Sequence, residues 1–572
     1  PIAKEKNDLI NKLRTTKNDD ETRQILSLIY KQKKLEYFDY RKIYNLIPES
    51  LKVEVFNNML EKHSQSDTNI IDSYYVKSIL EQLPENDREK ALLQILNLRD
   101  NEKEKNVKEN GKRIGSFLST RVNKNMPVPI YMEKGIKALE LFVGVLYSGA
   151  FYSLLNTNLP KKRLIQIMDV LDSDFIITDK DHYECAKEYF ENKEIILYED
   201  IIKFDINEAT LSNIFKQILD IDPVYANFTS GSTGTPKGVL VSNRSIIDFI
   251  NNFTQTFNIT KDDVIANQAP FDFDVSVKDI YSAFKTGATL VIVPKELFSN
   301  PAGLIDFLVE HNVTTLIWAV SALCLISTFH GLDYKVPTSV NKILFSGEVM
   351  PLKHLNSWMN HLPDAMFVNL YGPTEITCNC TYHIIDKNYE YNKIPIGKPF
   401  NNESVFLLNE NNELVTKENE KGEICVRGTA LALGYYKNME QTNKVFVQNP
   451  LHSNYIDMIY RTGDLGYYED GMLYFGGRKD FQIKYLGHRI ELEEIDKAIS
   501  QSDKVERVVT LFKEEKNKLV AFYIGTIDSK ELHAELKKEL PIFMVPGKLV
   551  KVDDMPLSKN GKIDRKKLEE MI

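Results

Sequence analysis

The densest collection of groups able to hold an anion is Tyr225-Ala-Asn-Phe-Thr-Ser-Gly-Ser-Thr-Gly-Thr-Pro-Lys-Gly-Val239. A short apolar run leads into a loop carrying Thr229, Ser230, Gly231, Ser232, Thr233, Gly234 and Lys237. Glycines let backbone N–H groups approach an anion closely, and hydroxyls and a lysine add further donors. That inventory suits a phosphate chain. The order is not G-x-x-x-x-G-K-[ST], so the loop is not a Walker A sequence. The cysteines do no comparable work. Cys185, Cys324, Cys378, Cys380 and Cys425 are scattered, and one C-x-C pair is not a zinc signature. They read as reduced thiols in a cytoplasmic protein.

The TSGSTGTPKG segment resembles the signature of the adenylate-forming enzymes, which include acyl-CoA synthetases, luciferases and the adenylation domains of nonribosomal peptide synthetases. Further motifs resemble that family in the same order along the chain. They are FDFDVSVKDIY (271–281), SGEVMP (346–351), NLYGPTEITC (369–378), GEICVRG (422–428), YRTGDLG (460–466), GGRKDFQIKYLGHRIELEEI (476–495) and PLSKNGKIDR (556–565). The texture is closest to the D-alanine–carrier protein ligases, with departures at Ser346 and Lys278, where those ligases usually carry Cys and an apolar residue.

The resemblance implies ATP-dependent, AMP-forming activation of a carboxylate to an acyl-adenylate, with release of pyrophosphate, then transfer to a thiol. An anionic carboxylate must approach an anionic phosphate, so positioning and positive charge should carry most of the catalysis. The resemblance assigns the 229–238 loop to the β- and γ-phosphates, Tyr371 to stacking on adenine, Thr374 to the α-phosphate and Glu375 to Mg²⁺. A hard cation between phosphates does call for a carboxylate oxygen. By the same route Asp464 takes the ribose hydroxyls and Arg478 the ribose or phosphates. Asp480 is the hinge before a rotating C-terminal domain, and Lys562 is the lysine bridging substrate carboxylate and nucleotide. Taken alone, Tyr371 reads as a core aromatic.

The resemblance places Asp274 where amino-acid-activating members pair a carboxylate with the substrate's α-ammonium. A capping role for Asp274 or Ser276 at a helix beginning near Val277 is the plain alternative. Motif matching adds Val275, Lys278, Leu344, Ser346, Leu370, Cys378 and Asn379 to the substrate pocket, with Trp318 more loosely aligned. Lys278 stands four residues after Asp274. Three readings stay open for it: pairing with Asp274 along one helical face, reading an acidic or amide substrate side chain, or snorkelling outward.

The elements that must position these groups are legible in outline. No glycine occurs before Gly111, and all 26 lie between Gly111 and Gly561. Residues 1–100 are therefore expected to be helical, with apolar positions such as Ile25, Leu28 and Ile29 recurring at helical spacing. From Gly111 onward, apolar runs at 174–179, 194–199, 289–294 and 342–347 alternate with helical patterns. That implies an α/β fold with largely parallel sheets. A small α+β unit follows Asp480. The expected domains are a helical extension (1–75), either a docking segment or a packed appendage, a core domain (76–479) and a mobile C-terminal domain (480–572).

A net charge of −9, from 72 basic and 81 acidic residues, argues against an electrostatic nucleic-acid binder. The most apolar stretch, 138–155, contains Glu140 and Gly149 and reads as a buried helix and strand rather than a membrane span. No D-S-L-type phosphopantetheine attachment motif is present and ten residues follow Lys562, so a separate carrier protein is the expected thiol donor. The alternatives are CoA, which would make the enzyme an acyl-CoA synthetase of a small or amino-substituted acid, and a chain cut from a longer synthetase.

Overall fold

The computed structural model describes residues 13, 19–30, 43, 46–48, 51, 55, 107–231, 235–485, 488–513, 516, 518–556 and 563–572. The chain divides into two compact units, 1–108 and 109–572. In the first, the described helix Asp19–Tyr30 buries Thr22, Leu26 and Ile29 and exposes Leu28. These buried positions recur every three or four residues, as a one-faced helix requires. Leu13, Ile43, Ile47, Leu51 and Val55 are buried as well, and most other residues of the expected helical extension lie outside the described ones.

The second unit carries the α/β architecture. All four expected strands form, at Phe175–Thr178, Glu194–Leu197, Thr289–Ile292 and Lys342–Ser346. The 138–155 stretch is a helix, Ile136–Tyr147, followed by a buried strand, Phe151–Leu155. Two seven-stranded sheets dominate. In the first, the strands from Pro127 to Leu197 pair in parallel, while Pro223–Thr229 and Lys237–Ser242 form an antiparallel hairpin. In the second, strands 264–267, 289–292, 315–319, 342–346 and 366–371 are parallel. Phe175–Thr178 and Lys342–Ser346 are buried on both faces, and such strands read as continuous apolar runs in the sequence.

Residues 403–478 depart from the parallel expectation. Strands 403–408, 422–428, 446–448, 458–469 and 472–478 build an antiparallel sheet. Alternating burial along Met458–Glu469 shows the reason: one face is packed and the other is partly solvated. Beyond Asp480 come a hairpin (482–491), a helix Leu492–Ile499, a three-stranded sheet and the helix Ser529–Glu539.

Candidate active site

The anion loop is the turn of a β-hairpin. Thr229 pairs directly with Lys237 in the ladder, so Thr229 closes one strand and Lys237 opens the return strand. Gly231 is needed there, because a Cβ would meet the Thr235 carbonyl oxygen at 2.2 Å. The buried Thr229 hydroxyl finds no hydrogen-bond partner among the described residues. Ser232, Thr233 and Gly234 lie outside those residues, as does Lys562.

A second cluster gathers at the carboxyl ends of the parallel strands in the second sheet, where open α/β sheets place ligands. Ser346 and Tyr371 end their strands, and Asp274 begins the helix Val275–Thr286. The chain between Tyr371 and Thr381 doubles back tightly. A Cβ on Gly372 would lie 2.5 Å from Cα of Asn379, and Thr377 and Cys378 both take positive φ. Such strain persists where the surroundings over-determine it. The Thr377 hydroxyl donates to the Ala430 carbonyl at 2.7 Å, helping to hold the turn.

Asp274 occupies the N-cap position but makes no capping hydrogen bond, which removes the capping alternative. Asp274 is 8% exposed. Burial pushes its pKa up, opposed by the Thr374 side chain, Lys278 and Lys484. Lys278 is 0% exposed, so the outward-snorkelling reading is wrong. No ion pair links it to Asp274 among the described residues. Its ammonium donates instead to Asn379 Oδ1 at 2.8 Å and Ser346 Oγ at 3.2 Å. Leu344, Leu370 and Cys378 are buried in the core on this side of the sheet, and Val275 is buried too. Trp318 is not with them. It points to the opposite face, where its indole N–H donates to the Ala266 carbonyl and its ring packs on Phe298.

The expected nucleotide residues form one connected network. The Tyr371 hydroxyl donates to Asp464 Oδ2 at 2.6 Å, and Arg478 pairs with the other Asp464 oxygen. Arg478 also grips Asp480 in a bidentate contact, at 2.6 and 2.8 Å. Glu375 is fully buried. Burial opposes its charge, yet Arg489, Lys237 and the Tyr435 hydroxyl hold its carboxyl down at about 2. An ionised, enclosed carboxylate of this kind fits a hard divalent cation. Among the described residues, no group of three or more His, Cys, Asp or Glu is arranged to hold a metal alone.

Several participants went unassigned in the sequence. The 482–491 hairpin pairs Gln482 with Glu491 and Lys484 with Arg489. Its apolar positions Ile483 and Ile490 turn to the C-terminal core. Arg489 reaches Glu375 at 2.5 Å, its carbonyl accepts from the Ser230 hydroxyl at 2.7 Å, and Glu491 lies 3.8 Å from the Lys237 ammonium. Lys484 is half-buried and sits over the Tyr371 ring. Alternating polarity in QIKY and HRIE was the available signal. The contacts of Arg163 with Glu494 at 2.6 Å, and of Lys162 with Glu539, tie the helix Lys161–Leu171 to the same C-terminal region. They had no sequence signal.

A cavity beside this network is lined by Asn156, Asp272, Asp274, Thr374, His488 and Phe543, among others. His488 stacks on Phe543 with ring centroids 3.6 Å apart, and burial lowers its pKa to about 4. Asp272 is pushed up to about 6 by the same burial.

Residues 105–436 match the family described as AMP-binding enzyme. The D-alanine–D-alanyl carrier protein ligase of Listeria monocytogenes is 33% identical over 491 residues, covering 81% of this chain and 93% of the relative. Tyrocidine synthase 3 of Brevibacillus parabrevis is 33% identical over 432 residues, covering 74% of this chain. The match spans only 6% of that much longer protein. Among solved structures, the Vibrio cholerae adenylation domain AlmE, in complex with glycyl-adenosine-5'-phosphate, superposes with a TM-score of 0.70 at 22% identity, covering 81% of this chain and 91% of that one. PA1221, a nonribosomal peptide synthetase protein with adenylation and PCP domains, gives a TM-score of 0.70 at 22% identity, covering 80% and 78%. Among the described residues no helix is long and apolar enough to cross a membrane. With the anion hairpin, the strand-end cluster and these relatives in agreement, the chain belongs to the AMP-binding enzyme family.

Proposed function

We propose that this enzyme activates an amino acid with ATP and passes it to the phosphopantetheine thiol of a carrier protein. A substrate carboxylate oxygen bonds to the α-phosphorus and pyrophosphate leaves. The carrier sulfur then bonds to the adenylate carbonyl carbon and AMP leaves, the thiol proton passing to solvent.

The observation that carries the amino-acid reading is Asp274, a buried carboxylate with no ion-pair partner among the described residues. A buried carboxylate of this kind calls for a cation or hydrogen bonds, and a substrate α-ammonium supplies them. In this reading Thr229, Ser230, the Gly231 amide and Lys237 bind the outer phosphates, Thr374 faces the α-phosphate, and Asp464 takes the ribose. Glu375 would hold Mg²⁺, whose positive charge would stabilise the pyrophosphate as leaving group. Lys562, on a mobile domain comprising residues 480–572, would bridge carboxylate and nucleotide. The free thiols Cys378, Cys380 and Cys425 are buried, which supports a reducing, cytoplasmic setting.

ATP–pyrophosphate exchange across amino acids and simple carboxylic acids tests this reading. We expect amino-acid-dependent exchange, lowered about 100-fold by Asp274→Asn through a raised KM. Exchange confined to acids without an amino group would overturn it in favour of an acyl-CoA synthetase.

A further inference from the structure

Resting on that amino-acid reading, we propose that Lys278 selects a substrate whose side chain ends in a carboxylate, so that the enzyme activates an acidic amino acid.

The argument begins with where the ammonium lies. Lys278 is one helical turn beyond Asp274, so the two side chains rise from the same face of the 275–286 helix. Both are buried. The ammonium lies among Ser346, Cys378 and Asn379, which arrive from the end of one strand and from the strained turn after the next. Two independent features of the backbone thus converge on one side-chain nitrogen.

An ammonium has three N–H donors and no acceptor. Two of them meet the uncharged oxygens of Asn379 and Ser346. No carboxylate lies within ion-pair distance of Lys278 among the described residues. The neighbouring Asp279 accepts from Asn267 Nδ2 at 2.7 Å and feels Lys278 only through the longer-range field, while burial pushes its pKa up to about 7. Asp274 reaches Lys278 only through the longer-range field. Burying a cation with only neutral partners is costly, and such groups are retained where a counter-charge arrives.

Charge counting then discriminates between substrates. The α-ammonium takes Asp274 and the α-carboxylate is directed to the nucleotide. A neutral side chain leaves Lys278 with the same two neutral partners it already has. A side-chain carboxylate supplies the missing acceptor and the missing charge together. Residues one turn apart on a helix are about 5–6 Å apart at Cβ, a spacing that a short amino acid can bridge.

The test is exchange kinetics for glutamate, aspartate, glutamine, asparagine, alanine and glutarate, with the wild-type chain and Lys278→Met. We expect an acidic amino acid to exceed its isosteric amide in kcat/KM by about 10–100-fold, the range of a buried charge-assisted contact. Lys278→Met should remove that preference, raising KM for the acid far more than for the amide, so that the acid-to-amide ratio of kcat/KM falls at least about 10-fold. A structural role alone would depress all substrates together and leave the ratio unchanged, so an unchanged ratio overturns the assignment. The wild-type panel stands even if the variant folds poorly. Preference for an amide or for alanine, or silence with both acidic amino acids, overturns the inference. Exchange with glutarate but no amino acid instead overturns the underlying reading of Asp274.

Discussion

The Arg489 guanidinium lies 2.5 Å from Glu375 Oε2, so the carboxylate expected to face a divalent cation is held by a cation from the C-terminal hairpin. The same hairpin engages the anion loop through the Arg489 carbonyl on Ser230 and Glu491 beside Lys237. In the proposed reading, a magnesium-bound triphosphate would have to displace the hairpin from these same three groups.

From this competition, Arg489→Met should separate the two half-reactions. Breaking a buried pair costs about 3–5 kcal/mol in the state that contains it. Thioester formation from preformed aminoacyl-adenylate should fall at least about 10-fold in single-turnover assays. Exchange should fall less than about 3-fold, because magnesium would replace the lost cation. Equal losses in both assays would disprove the competition.

Arg163 and Glu494 form a second buried link, between the 161–171 and 492–499 helices. Either single change, Arg163→Met or Glu494→Gln, leaves a charged or polar remnant, whereas the double change leaves none charged. We expect each single variant to slow transfer about 10-fold and the double variant to be less impaired than the sum. Additive losses would show that the two do not act as a pair.

His488 predicts a pH signature. Its ordinary value of 6.5 is lowered to about 4 by burial, so the folded chain resists a proton that the unfolded chain accepts. Its contribution to stability is therefore lost as pH falls from 6.5 towards 4, on the order of 3 kcal/mol. Asp272, lining the same cavity, works oppositely: its raised value means stability is lost as pH rises from 3.8 through about 6. The two partly cancel in the wild type. His488→Phe keeps an aromatic face for Phe543 and removes one of them. Its melting temperature should rise relative to wild type as pH drops from 6.5 to 4.5. A pH-independent difference would exclude this role.

Gly372 is a steric requirement. An added Cβ would meet Cα of Asn379 at 2.5 Å, the Cys378 carbonyl at 2.7 Å and the Cys380 nitrogen at 2.9 Å, all backbone atoms that cannot rotate aside. Gly372→Ala should displace the turn carrying Cys378 and Asn379. We expect about 1–3 kcal/mol of destabilisation in thermal melts and at least a 10-fold loss of exchange. Unchanged exchange would mean that the turn does not shape the site.

What could be read without coordinates was local. Strand 342–346 announced itself through its β-branched and aromatic run, and the 229–238 loop through its density of donors. Each depends on neighbours within a few residues, which is the range over which propensity and patterning act. Antiparallel pairing in 403–478 was missed because its partners are set by which face each strand buries, a tertiary fact. Trp318 was loosely attached to the pocket because a one-residue step in a strand reverses the face, and only the sheet register says which face is which.

Lys278 marks the boundary most clearly. Its charge and its place one turn after Asp274 were determined by the sequence alone, and three fates remained open. Its hydrogen-bond partners stand 68 and 101 residues away, on a strand end and on a turn held in positive φ. Whether that ammonium meets water, Asp274 or a substrate depends on desolvation by segments with no sequence proximity to it. Only the folded sheet brings them to one point.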